Sequence, residues 1–106
     1  MAKALDIANA LEQGCREWLS SQGFPEVRED KYDMTVDDMM EDFIIEIEVD
    51  DGRAYAEVRA ELGYNGFMKL LDVLDPIIQK FDKDAYFDME EPGISRAYFN
   101  KRILSK

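Results

Sequence analysis

The stretch FIIEIEVDDGRAYAEVRAEL, Phe43 to Leu62, alternates apolar and polar residues on both sides of an Asp51-Gly52 pair. Phe43, Ile45, Ile47 and Val49 form one apolar set, and Ala54, Ala56, Val58, Ala60 and Leu62 form the other, which is the period of half-buried strands. A two-residue turn with positive φ sets Val49 against Ala54, Ile47 against Ala56, Ile45 against Val58 and Phe43 against Ala60. All eight then share one face. A three-residue turn would set Val49 against Arg53 and split that face, so the pattern selects the register. Small alanines opposite bulky side chains call for a large element above them, and a helix is the simplest one.

The other face of this hairpin carries Glu46, Glu48, Asp50, Glu57 and Glu61 alongside Arg53, Arg59, Tyr55 and Ile44. The chosen register places Glu46 directly across from Glu57, where like charges cost a few tenths to about 1 kcal/mol. Arg59, diagonal to Glu46, is the expected relief.

Helical spacing flanks the hairpin. Ala4, Ile7, Ala8, Leu11, Cys15, Trp18 and Leu19 make one stripe on a helix from Lys3 to Ser21. Gly23 is its expected stop, with Phe24 folding back on the last turn and Pro25 preventing continuation. Phe67, Leu70, Leu71, Leu74, Ile77, Ile78 and Phe81 make a second stripe, with Asn65 as the expected cap. Pro76 interrupts it, so the pattern predicts a kink near Asp72 or a restart capped by Asp75. Further on, Pro92-Gly93 fits the centre of a type II turn, and Tyr86, Phe87, Tyr98 and Phe99 favour strands on both sides.

The expected fold is therefore α+β in the order helix, β-hairpin, helix, β-hairpin, with about four antiparallel strands and two helices packed on one face. At 106 residues and 46 % hydrophobic content, residues 1–106 are read as one compact domain, since a chain of this size buries roughly two-thirds of its unfolded surface.

The segment DKYDMTVDDMMED, Asp30 to Asp42, joins the first helix to the first strand. Tyr32, Met34 and Val36 fit strand alternation, whereas Val36, Met39, Met40 and Phe43 fit a helix, so an edge strand and a short helical turn are both open. Its acids are Asp30, Asp33, Asp37, Asp38, Glu41 and Asp42, against the single base Lys31.

Charge is the compositional outlier: 24 acids and 13 bases give a formal net of −11. Glu26 to Asp51 holds twelve acids against Arg28 and Lys31, while Ile94 to Lys106 holds four bases and no acid. Such a field repels nucleic acid and anionic membranes and attracts basic surfaces, including those built to grip phosphate backbones. The same charge also serves plain solubility.

Catalytic and metal-binding signatures are missing from the sequence. The absence of histidine removes the usual base near neutral pH. Cys15 is the only cysteine and lies on the apolar stripe, so it reads as an inert core thiol, without a disulfide or cysteine-rich zinc site. Calcium loops started at Asp30, Asp33 or Asp82 fail at required ligand or glycine positions. No glycine loop of the phosphate-cradling kind is present, since ELGYNGF reads as the start of a helix. The N-terminal helix reaches Asp6 and Glu12 before any long apolar run, so the expectation is a cytoplasmic protein without leader or spanning helix.

The reading is a non-enzyme that needs no cofactor and no metal. Size and charge are of the kind found among small antagonists encoded by phages and mobile elements, including inhibitors of CRISPR effectors that mimic nucleic acid. The expected partner is a basic protein surface, for instance on a nucleic-acid-binding protein, with no direct nucleic-acid or membrane binding. The expected contact residues are Asp30, Asp33, Asp37, Asp38, Glu41, Asp42, Glu46, Glu48, Glu57 and Glu61. The alternative is a structural protein that forms a homodimer or assembly by pairing an edge strand or the second hairpin, its basic tail meeting a neighbour's acidic segment.

Overall fold

In the computed structural model, which describes residues 3–50 and 52–104, the order is α1 (Ala4–Ser21), α2 (Val36–Met40), β1 (Ile44–Asp50), β2 (Arg53–Arg59), α3 (Tyr64–Gln79), β3 (Asp88–Glu91) and β4 (Ile94–Phe99). A 3-10 turn, Lys101–Ile103, follows. The strands form one antiparallel sheet in the order β1-β2-β4-β3, which leaves β1 and β3 at the edges. The turn residue Asp51 and the basic Lys106 lie outside the described residues.

The first hairpin has the expected register, with Ile45 opposite Val58, Ile47 opposite Ala56 and Val49 opposite Ala54, and Gly52 holds φ +81° at the second turn position. Phe43 departs from the expectation. It precedes β1, its N–H bonds the Met40 carbonyl, and Ala60 instead donates to the Gly93 carbonyl at 2.9 Å. The second hairpin therefore docks on the end of β2.

One face of the sheet is the core face. Ala54, Ala56 and Val58 of β2, with Ala97 and Phe99 of β4, lie under Ile7, Leu11, Cys15, Trp18 and Leu19 of α1 and Phe67, Leu70, Leu71, Leu74 and Ile78 of α3, all in one buried cluster, and Ser95 of β4 is buried on the same face. The alanines leave room for the helices. Gly14 plays the same part between helices, because a Cβ there would run into Ile77 Cδ1 and Leu74 Cδ2.

α1 ends as its sequence predicts. Gly23 takes φ +101° and donates to Ser20 while Phe24 donates to Leu19, the paired bonds of a Schellman stop. The expectation for α3 needs correction. It begins at Tyr64 with Gly63 as cap, so Asn65 lies inside the helix, and it runs without a restart through Pro76 to Gln79. The Asp75 carboxylate does not cap; it accepts the Phe87 N–H at 2.8 Å and ties the strand approach to the helix. Tyr86 and Phe87 consequently precede β3, and Phe87 fills the core. The Pro92-Gly93 turn stands where expected, between paired Glu91 and Ile94, with Gly93 at φ +84°. Among the described residues no helix is long and apolar enough to cross a membrane.

Candidate partner-binding surface

The sheet face away from the helices is laid out in rows. Ile44, Arg59 and Ile94 form one, Glu46, Glu57, Arg96 and Asp88 the next, Glu48, Tyr55 and Tyr98 the third, and Asp50 with Arg53 the last. Basic and aromatic side chains occupy the middle columns. The Tyr55 and Tyr98 rings meet at a tilt of 54° with centroids 5.3 Å apart, Arg96 lies over Tyr55 at 4.7 Å and Arg53 over Tyr98 at 5.2 Å. Acids occupy the edges.

Glu57 belongs to the middle, and this corrects its expected place on an open acidic surface. Its carboxylate is buried between Arg59 Nε at 2.8 Å and Arg96 Nε at 2.9 Å. Burial alone would raise its pKa, but the hydrogen bonds and charges of Arg59 and Arg96 outweigh that and hold it below the usual carboxylate range. Arg59 thus relieves the clash through Glu57, its neighbour two residues back on β2. Arg96, the second relief, comes from β4 and reaches Glu57 only through the β2–β4 pairing.

Segment 30–42 resolves into a loop and the short helix α2. Val36 is fully buried, and Met39 and Met40 pack against the core, so those methionines finish the interior, while Met34 and Tyr32 face solvent. Thr35 and Asp38 form a reciprocal capping box at the start of α2. Several acids in this segment have local duties. Asp33 Oδ2 accepts the Glu29 and Asp30 N–H groups, and Asp30 Oδ1 accepts that of Tyr32. Asp37 pairs with Arg16 of α1 at 2.7 Å, pinning α2 to α1. Asp38 pairs with Arg28, and its pKa is lowered chiefly by the Thr35 backbone and hydroxyl, with Arg28 adding to it.

Glu41, Asp42, Glu46, Glu48 and Glu61 are exposed, and among the described residues none has a cation within 4 Å. Glu46, Glu48 and Asp50 follow at alternate positions of β1, so strand geometry sets them roughly 6.5–7 Å apart on one face. Asp42 and Glu61 lie together at the end of this row, lining a shallow depression of about 280 Å³ with Ile44, Arg59, Pro92 and Ile94. Toward the hairpin tip Arg53 stands across from Asp50 and the Lys101 ammonium approaches Gly52.

Of the ten expected contact residues, Asp42, Glu46, Glu48 and Glu61 come together around β1, with Glu41 adjoining in the chain. Asp50, which is not among those ten, joins this group at the next alternate position of β1. Asp30, Asp33, Asp37 and Asp38 belong to the α2 side, where they shape the loop. Among the described residues no three potential metal ligands converge, and no buried side-chain nitrogen or oxygen lacks a hydrogen-bond partner. No family model, curated protein or solved structure matches the chain.

Proposed function

We propose that this chain is a non-catalytic binding protein that lays the β1 side of its sheet on a basic surface of another protein, of the type that holds a phosphate backbone, and blocks it. One observation carries the reading: the carboxylates of Asp42, Glu46, Glu48 and Glu61 stand exposed without ion-pair partners among the described residues, while Arg59 and Arg96 are engaged by the buried Glu57. Two of the bases on this face, Arg59 and Arg96, are thus neutralised by Glu57, while these acids are not neutralised by any cation among the described residues. A cation-lined groove meets a row of negative charges repeating at about twice the 3.4 Å axial step of phosphates along one DNA strand. Antagonism of a nucleic-acid-binding protein follows from occupying its groove.

Self-association through β1 is the weaker reading. Antiparallel pairing of two β1 strands would put Glu46, Glu48 and Asp50 of both copies on one face of one ladder, where like charges oppose each other.

The test is retention of nucleic-acid-binding proteins from lysate on the immobilised chain at low salt, followed by elution with duplex DNA or RNA. Wild type should retain them and release them to competitor, and the triple variant Glu46→Lys, Glu48→Lys, Asp50→Lys should not retain them while keeping its circular dichroism spectrum. Equal retention by a folded triple variant, or no retention by wild type, sinks the proposal.

A further inference from the structure

Resting on the reading that this acidic surface captures a basic partner, we infer that β1 takes its partner as an added β-strand: an extended segment of another protein in which Lys or Arg alternate with apolar residues. The backbone of β1 is the first reason. Asp50 and Arg53 flank a two-residue turn and pair, so they exchange both ladder bonds, and alternation from them gives Glu48, Glu46 and Ile44 their bonds to β2. Ile45, Ile47 and Val49 therefore turn their N–H and C=O groups to the open edge. Among the described residues nothing bonds these groups. A helix laid alongside cannot satisfy such a row, whereas an extended chain can.

Side chains define the occupant further. On the outer face of β1 stand Glu46, Glu48 and Asp50, which match basic residues at alternate positions of an added strand. On its inner face stand Ile45, Ile47 and Val49, and no residue of β1 is buried; Val49 is 57 % exposed. A groove of about 310 Å³ lies at the Ile45 end of β1, its apolar lining Leu5, Ala8, Met40, Phe43 and Ile45 joined by Asn9 and Glu12 of α1, and Leu5 is 66 % exposed. An apolar residue of the added strand beside Ile45 reaches this groove, and those beside Ile47 and Val49 cover their exposed side chains. The opposite edge, β3, has four residues and an irregular register between Met89 and Glu91, so it offers a shorter and less regular ladder.

The experiment titrates the ¹⁵N-labelled chain with a seven-residue peptide of alternating Lys and Val. A same-composition control peptide has its lysines and valines in separate blocks. The inference expects slowed amide exchange at Ile45, Ile47 and Val49 with the alternating peptide, at least tenfold weaker binding of the block peptide, and loss of the preference in Val49→Pro, which removes one outward N–H at an edge position that tolerates proline. Equal binding of both peptides without protection of those amides overturns strand addition and leaves acidic capture standing. No binding of either peptide at low salt overturns it as well. Capture itself is judged separately by the retention test, so the two failures are distinguishable.

Discussion

Glu46 and Glu57 face each other directly across the β1–β2 ladder, yet Glu46 is exposed and Glu57 is only 4 % exposed between two guanidiniums. One sequence pattern thus contains a surface charge and a structural ion cluster. Removing Glu57 leaves Arg59 and Arg96 side by side without their shared counter-charge, but both guanidiniums reach solvent, so Glu57→Ala should cost about 1–2 kcal/mol in denaturant unfolding. Glu46→Ala should change stability by less than about 0.5 kcal/mol. Equal effects would show that the Arg–Glu–Arg cluster does not hold the sheet.

Acid dependence follows from the same cluster. The folded-state pKa of Glu57 lies below its ordinary value of about 4.5, so its ion cluster contributes fully above that pH and the contribution is lost as pH falls through the folded value. The stability gap between wild type and Glu57→Gln should therefore be constant near neutrality and shrink below about pH 4.5. Asp75 works with the opposite sign, because burial, with Asp72 and Asp88 adding to it, raises its pKa against the opposing Phe87 bond. Its ionised form weighs against folding at neutral pH and is relieved on acidification. Urea titrations between pH 3 and 7 read both slopes, and a gap independent of pH would contradict the assignment to Glu57.

Two glycines separate backbone strain from crowding. Gly23 has φ +101° with open space around it, so Gly23→Ala should cost only the left-handed conformation, about 1 kcal/mol. Gly93 has φ +84°, and a Cβ there would lie 2.8 Å from the Ala60 carbonyl oxygen. Backbone is the obstacle. Gly93→Ala should exceed Gly23→Ala by at least about 1 kcal/mol, since the second hairpin must lift from β2. Matched melting temperatures for the two variants would remove the docking contact from the account.

Cys15 tests the interior of α1. Burial first and the Glu12 charge second push its thiol up to about 12. At pH 8 this lowers the thiolate fraction on the order of a thousandfold relative to a free cysteine. Labelling by a disulfide reagent should be slower by at least that factor in the native chain than in denaturant. Rapid native labelling would mean that the α1–α3 seam opens.

Much of this fold was legible in sequence because its signals are local. Alternation from Phe43 to Leu62 with one glycine turn determined a hairpin and its register, since a shift of one residue would turn every apolar side chain outward. Gly23 with Phe24 determined a helix stop, and Pro92-Gly93 a second turn. The misreadings concern places where local chemistry competes with distant contacts. Asn65 and Asp75 are both good caps, but Gly63 starts α3 and the Phe87 N–H occupies Asp75. Segment 30–42 fits both strand and helix periods, and burial of Val36 under the core with the Arg16–Asp37 pair goes with the helix.

For the surface, the sequence alone determined the sign and quantity of charge and the alternation that lines Glu46, Glu48 and Asp50 along one strand. Only the tertiary structure decided which acids are free. Pairing of β2 with β4 brings Arg96, thirty-nine residues away, across from Glu57, and packing of α2 on α1 brings Arg16 to Asp37. The physical reason is that a carboxylate's availability depends on which cation lies within a few ångströms, and strand order and helix packing set that distance.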